Sequence, residues 1–207
     1  LALAPATIVP ASAVVKKYLS CSGSPFQLGV ASGEPSADGF VIWTRLAPKP
    51  LEGGGMPREL VPVGWEVATD EKFTRVVRRG RAVATPQLAH AVHVELHGLE
   101  SSRWYWYRFR AGGEISPVGR TRTMPSVDSQ PDRVRFTFAS CQHYEQGFFT
   151  AYQHMAADDL DLVVHLGDYI YEGATSQNGV PKHIGSELES LDEYRNRYAQ
   201  YRTDEHL

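Results

Sequence analysis

The chain has 207 residues, of which 42% are hydrophobic and 22% charged, and a formal net charge of -3. This is an ordinary soluble globular composition, long enough for one large or two ordinary domains. It excludes a broad electrostatic attraction to nucleic acid or an anionic membrane, and no apolar run approaches the roughly 20 residues that span a bilayer.

Residues 1–15 (LALAPATIVPASAVV) are small and apolar, with no initiator Met. They resemble the back end of a secretory signal, with Ala11-Ser12-Ala13 as the cleavage site, although the positively charged start is absent. The plainer alternative is an Ala/Pro arm, so residues 1–25 are assigned as a signal remnant or arm. The two cysteines are Cys21 and Cys141. In an exported protein they raise the question of a disulfide. Cys21, however, lies in a Ser/Gly-rich segment, whereas Cys141 sits beside other ligand-type residues. Lys16 and Lys17 interrupt the apolar stretch that a lipoprotein site at Cys21 would require.

Residues 26–124 read as all-β. FVIWTRL at 40–46 is β-branched and aromatic, VGWEVA at 63–68 alternates, and WYWYRFR at 104–110 is a strong strand signal. HAVHVEL at 90–96 also alternates. His90 and His93 are expected on a polar strand face rather than at a metal. Gly- and Pro-rich turns separate about seven short strands, which predicts a fibronectin- or immunoglobulin-like β-sandwich. Gly98-Leu99 ahead of Tyr105 has the pattern of a tyrosine corner, and Trp43 is the candidate for the buried core tryptophan.

Residues 125–132 are polar and Pro-rich, the composition of a linker. From 133 to 207 the pattern becomes strand–helix–strand, with strands over 133–139 and 160–166. Phe148, Phe149, Tyr152, Met155 and Ala156 recur at helical spacing over 146–157, a stripe expected to pack on the sheet. LDLVV at 160–164 suits a strand buried on both faces. Residues 174–185 read as a loop over the sheet edge. Ser190, with Glu193 three residues on, predicts a capped helix whose face is Leu191, Tyr194, Tyr198 and Tyr201. Two parallel strands cannot form an independent α/β core. The segment is therefore expected to be the front of a longer protein or to depend on another chain.

A strand–helix–strand unit makes parallel neighbours, so both strand ends emerge at one sheet edge, where open α/β sheets put their chemistry. That edge would hold Cys141, Asp168 and Tyr171. Gly167 would let backbone approach closely there, and the carboxylate of Asp168 can bridge two ions. A phenol is a poor ligand at its free pKa of about 10, but a highly charged cation ionises both phenol and thiol. This donor set suits Fe(III) better than zinc or magnesium. Each residue also has a plainer role open to it: Cys141 as a small buried hydrophobe, Tyr171 as packing, Asp168 as a cap. Cys141 as a thiolate nucleophile is disfavoured, because CQHYEQG at 141–147 has no Arg and carries an acidic residue. His143, Tyr144 and His183 lie on loops near the edge, as surface residues or substrate contacts. His165 reads as a satisfied core histidine.

Several stretches carry a family resemblance: LGVASGEPSADGFVIWTRL, WEVATDEKF, AHAVHVELHGL, YRFRAG, SPVGRTRTMP, FTFASCQHYEQGFFTAY, LDLVVHLGDYIYEG and YRNRYAQYRTDEHL. Over residues 26–207 the sequence resembles the PhoD-type alkaline phosphatase/phosphodiesterase family. The resemblance implies a β-sandwich followed by the start of a calcineurin-like metallophosphatase domain, here truncated. It implies export to the periplasm or cell exterior, commonly by the twin-arginine route, and hydrolysis of phosphate monoesters and diesters. It implies that Cys141, Asp168 and Tyr171 bind Fe(III), with Asp168 bridging to Ca(II). The family's later ligand motifs do not occur before Leu207, so the rest of a longer chain or a partner would complete the site and these residues alone would be inactive. The implied chemistry is in-line attack on phosphorus by a metal-activated water, with Cys141 a ligand and not the nucleophile. The substrate is a small-molecule or polymeric phosphoester, with nucleic-acid, lipid and teichoic-acid diesters all open; neither sequence-specific nucleic-acid binding nor a membrane span is implied. The alternative is an exported β-sandwich binding module with an inactive phosphatase remnant.

Overall fold

A computed structural model of the chain describes Val15, Tyr18, Leu19 and residues 23–207. The cleavage site at 11–13 and Cys21, with any disulfide it makes, lie outside the described residues. Eight strands come first: β1 (Val30–Gly33), β2 (Phe40–Arg45), β3 (Val61–Ala68), β4 (Val76–Ala84), β5 (Ala91–Leu96), β6 (Trp104–Ala111), β7 (Glu114–Ile115) and β8 (Gly119–Arg122). They form two antiparallel sheets, β1-β2-β5 and β4-β3-β6, with β7 and β8 both paired to β6.

The sandwich core follows from two-residue alternation. Along β6, Tyr105, Tyr107, Phe109 and Ala111 point inward, and along β2 so do Phe40 and Ile42. They meet Val61, Val63 and Val67 of β3 and Val92 and Leu96 of β5. The tyrosine corner is present. Buried Tyr105 accepts the Glu100 N–H at 3.0 Å and returns its hydroxyl proton to the Glu100 carbonyl at 3.3 Å. Val15 and Leu19 are also buried in this core, so the proposed arm over 1–25 does not stand clear of the sandwich at those two residues.

Two expectations in this half are corrected. Trp43 is outside the sandwich core, because the alternation that turns Phe40 and Ile42 inward turns Trp43 outward. There it packs beside Leu28, Ala47 and Ala199. His90 is not on a strand face. It precedes β5 in a turn with φ 58° and is buried, with Nε2 on the Glu59 carbonyl at 3.0 Å. Only His93 is exposed as expected.

The second half contains β9 (Phe136–Ala139), α1 (Thr150–Ala157), β10 (Leu162–His165) and α2 (Leu191–Tyr201). Strands β9 and β10 pair in parallel, Phe136 opposite Leu162 and Ala139 opposite His165. Both are shorter than the sequence suggests. They are also not buried on both faces: Phe136, Phe138 and Val163 are 62%, 60% and 52% exposed. Helix α1 does not supply the expected packing stripe. It begins only at Thr150 and has no buried residue, Phe148 is exposed, and only Phe149 at its start is buried. Among the described residues, two strands and one short helix offer too little surface to cover the sheet. Helix α2 starts with the expected capping box between Ser190 and Glu193. Its buried face is Arg197, Ala199, Gln200 and Tyr201, whereas Leu191 and Tyr194 are exposed.

Helix α2 is docked on the sandwich. Arg45 donates to the Arg195 carbonyl at 3.1 Å, Arg202 to the Leu28 carbonyl at 3.1 Å, and the Trp43 ring meets Tyr198. An Arg122–Asp161 ion pair links β8 to the start of β10. Among the described residues no helix is long and apolar enough to cross a membrane.

Candidate metal centre

The parallel pairing of β9 and β10 continues beyond both strands. The Leu166 N–H reaches the Ala139 carbonyl at 2.8 Å, the Cys141 N–H the Gly167 carbonyl at 3.2 Å, and the Gln142 N–H the Asp168 carbonyl at 3.3 Å. The two loops thus leave the sheet zipped together, which places Cys141 beside Asp168. Each of these residues has a left-handed backbone, φ 54° at Cys141 and 52° at Asp168. That conformation costs an L-residue about 1–2 kcal/mol and tends to collect at functional sites. Gly167 has φ 122°, and a Cβ there would meet nothing within 4 Å. Its glycine serves the turn and not the close backbone approach expected from the sequence.

The structure brings the three sequence-selected side chains together. The Tyr171 hydroxyl donates to Oδ2 of Asp168 at 2.9 Å, and the Cys141 thiol is also within its reach. The Asp168 hydrogen bond, with lesser contributions from desolvation and Cys141, pushes the Tyr171 phenol well above its ordinary pKa. Without a cation the phenol therefore stays protonated and shares its proton with the carboxylate; a multivalent cation would take that proton's place. Cys141 and Asp168 are exposed, so an ion has access. A thiol, a carboxylate and a phenol converging on one solvent-facing point fit a highly charged cation by the chemistry of their donors. Among the described residues no three His, Cys, Asp or Glu side chains gather to hold a metal, so the phenol is integral to this set.

The site rests on a partly buried polar layer that includes His143, Tyr144 and His183. The His143 ring lies 4.6 Å from that of Tyr171 and 5.2 Å from that of His183. His183 is not a loop surface residue but is buried, and Tyr144 is half-buried against Tyr201 and His183. Desolvation, and after it the Arg197 charge, pulls His183 down to about 4, so it is neutral at ordinary pH. Glu145 is buried too. Burial alone would raise its pKa, but the N–H groups of His183 at 2.9 Å and Ser176 at 3.0 Å hold it below the usual carboxylate range. Gln142 reaches the Tyr169 carbonyl at 2.8 Å and takes the Tyr152 hydroxyl, tying α1 to the Asp168 loop. His165 departs from the satisfied core histidine expected. It is half-buried, its Nδ1 accepts the Gly167 N–H at 3.3 Å, and its buried Nε2 has no partner among the described residues.

The sequence places Tyr201 on the helix face with Tyr198, and His143, Tyr144 and His183 on loops near the edge, but carries no signal for the burial of Arg197. Glu145 gave none, because its partners are 31 and 38 residues away.

Comparison with known proteins agrees with this architecture. The chain is 54% identical over 191 residues to alkaline phosphatase D of Bacillus subtilis (strain 168), covering 90% of this chain and 33% of that protein. A solved structure of PhoD superimposes with a TM-score of 0.85 at 55% identity, covering 88% of this chain and 36% of that one. The chain thus spans about a third of the length of these relatives. The model for the N-terminal domain of PhoD-like phosphatases matches residues 13–125, and that for the PhoD-like phosphatase itself matches residues 136–207. From one match to the next the chain carries the sandwich and then the start of the phosphatase domain, and it belongs to the PhoD-like phosphatase family.

Proposed function

We propose that the protein carrying this chain is a metal-dependent hydrolase of phosphate monoesters and diesters. Cys141, Asp168 and Tyr171 would hold Fe(III), and Asp168 would also serve Ca(II). One observation carries the assignment: a thiol, a carboxylate and a phenol meet at two left-handed corners on adjacent parallel strand ends, with Tyr171 on Asp168 at 2.9 Å. Bound ions would supply charge to clamp a phosphoryl group and to activate water. This chain's residues orient the donors and hold the phenol protonated in its hydrogen bond to Asp168 until a cation displaces the proton. The further donors, and with them the activity, come from outside these residues. Export by the twin-arginine route and action on phosphoesters outside the cytoplasm are parts of the same proposal.

Cys141 acts as a ligand and not as a nucleophile. A thiolate phosphatase needs free backbone N–H groups to cradle phosphate. Here the N–H groups of residues 141–146 are all engaged: on the carbonyls of Gly167, Asp168 and Cys141, the Tyr201 hydroxyl, His143 Nδ1 and the His143 carbonyl. The docking of α2 on the sandwich supports a bracing role for the β-domain over a free-standing binding module.

The test is Cys141→Ser and Tyr171→Phe in the full-length protein. Both should lower iron content and activity, and Tyr171→Phe should remove a visible phenolate-to-iron band. Normal iron and activity in both variants would reject the assignment.

A further inference from the structure

The Tyr201 phenol lies behind the two ligand loops. Its oxygen accepts the main-chain N–H of Tyr144 at 3.2 Å and of Tyr171 at 3.2 Å, and it faces Nε2 of His183 at 3.1 Å. A phenolic hydroxyl has one proton and two acceptor sites. The two main-chain N–H groups take both acceptor sites, and His183 Nε2 is the third polar neighbour of the oxygen. One oxygen atom therefore joins the loop that follows Cys141 to the loop that carries Asp168 and Tyr171.

Arg197, four residues earlier on the same face of α2, takes hold of the other end of the residue. Its Nη1 donates to the Tyr171 carbonyl at 2.6 Å and to the Gly173 carbonyl at 3.1 Å. Tyr171 is thus gripped at its N–H by Tyr201 and at its C=O by Arg197. Both gripping side chains are buried, Arg197 at 2% exposure and Tyr201 at 0%. A buried guanidinium is costly unless its donors are met; Nη1 meets the main chain around one candidate ligand, while Nε has no partner among the described residues. The helix that carries both is itself fixed on the sandwich through Arg45 and Arg202.

We propose that Tyr201 and Arg197 are positioning residues that set the place of Tyr171 relative to Cys141 before any ion binds. The inference rests on the ligand role of Tyr171 proposed above, but its geometry is testable without metal.

The experiment uses Tyr201→Phe, which keeps the ring and removes only the hydroxyl, together with Arg197→Lys, which keeps a charge but loses the fork. In the metal-free full-length protein, Tyr201→Phe should speed amide exchange at Tyr144 and Tyr171 together by about tenfold, with Val63 and Phe109 in the sandwich unchanged. Arg197→Lys, which frees the Tyr171 carbonyl, should leave exchange at Tyr144 unchanged. In the iron-loaded protein both variants should shift the phenolate-to-iron band and hasten iron loss to a chelator by about tenfold. Unchanged exchange at Tyr171 in Tyr201→Phe, or an unchanged band and unchanged iron loss, would overturn the proposal. The two readings separate cleanly. If Tyr171→Phe removes the band and Tyr201→Phe leaves it untouched, only the positioning role fails. If Tyr171→Phe leaves iron and band intact, the ligand assignment fails and this inference falls with it.

Discussion

The Trp43 indole meets the Tyr198 ring edge-on, centroids 6.0 Å apart, and so joins the outer face of the sandwich to the helix beneath the candidate site. The contact matters because, of the four residues α2 buries, Arg197 and Gln200 are polar, and Ala199 is the one that packs with Leu28, Ala47 and Trp43. Replacing a fully buried Trp by Ala costs about 3–5 kcal/mol. Trp43 is half-buried, so Trp43→Ala should cost about 2 kcal/mol in urea unfolding and should ease proteolysis in the 174–185 loop. A loss below about 0.5 kcal/mol would show that the two rings do not hold the helix in place.

Tyr105→Phe isolates the tyrosine corner. It keeps the buried ring against Phe40, at 5.8 Å between centroids, and deletes only the hydroxyl that takes the Glu100 N–H. The expected loss is about 1–2 kcal/mol, one hydrogen bond plus a donor left without its partner. Chemical denaturation read by tryptophan fluorescence would measure it, and an unchanged midpoint would mean that water replaces the hydroxyl.

The parts of this molecule legible in the sequence are those whose cause is local. Strand β6 declares its buried face by alternation, Tyr105 declares its corner by the preceding Gly98-Leu99, and Ser190 with Glu193 declares a helix start. The convergence of Cys141 and Asp168 followed from the parallel pairing that a strand–helix–strand unit makes. Trp43 could have been placed correctly by the same alternation, since Phe40 and Ile42 occupy the other side of its strand. Arg197 could not. A guanidinium on a helix reads as solvated, and its burial is explained only by carbonyls of residues 171 and 173, which no periodicity predicts. The apolar stripes of β10 and α1 state a tendency to be buried, and the described residues do not supply the surface that would bury them.

His183 gives the protein a definite pH dependence. Its pKa is about 4 in the folded state, set by burial and then by Arg197, against about 6.5 for an unperturbed imidazole. The folded value lies below the unfolded one, so the unfolded chain binds more protons between those limits. Stability is therefore fully present above about pH 6.5, falls as pH drops, and this contribution is gone by about pH 4. The whole effect is of the order of 3 kcal/mol. Urea unfolding at pH 7 and pH 4.5 should show the loss in the native sequence and a smaller one in His183→Gln, which removes the titrating group. Equal losses in the two proteins would assign the dependence to the carboxylates instead.

Gly179 tests whether Glu145 is as firmly fixed as its hydrogen bonds imply. A Cβ added at 179 would stand 2.7 Å from Cβ of Glu145 and 2.9 Å from its Cδ. A flexible exposed glutamate would swing away at little cost. This one cannot, because its carboxylate holds Ser176 N–H at 3.0 Å and His183 N–H at 2.9 Å while its own carbonyl takes the Val180 N–H at 3.2 Å. Either the loop over 174–185 lifts or the carboxylate gives up its donors. Gly179→Ala should therefore cost about 1–3 kcal/mol, as overpacking does, and should speed amide exchange at Ser176 and His183 together. If stability and both amides are unchanged, Glu145 has room to move and the loop is held by something other than its carboxylate.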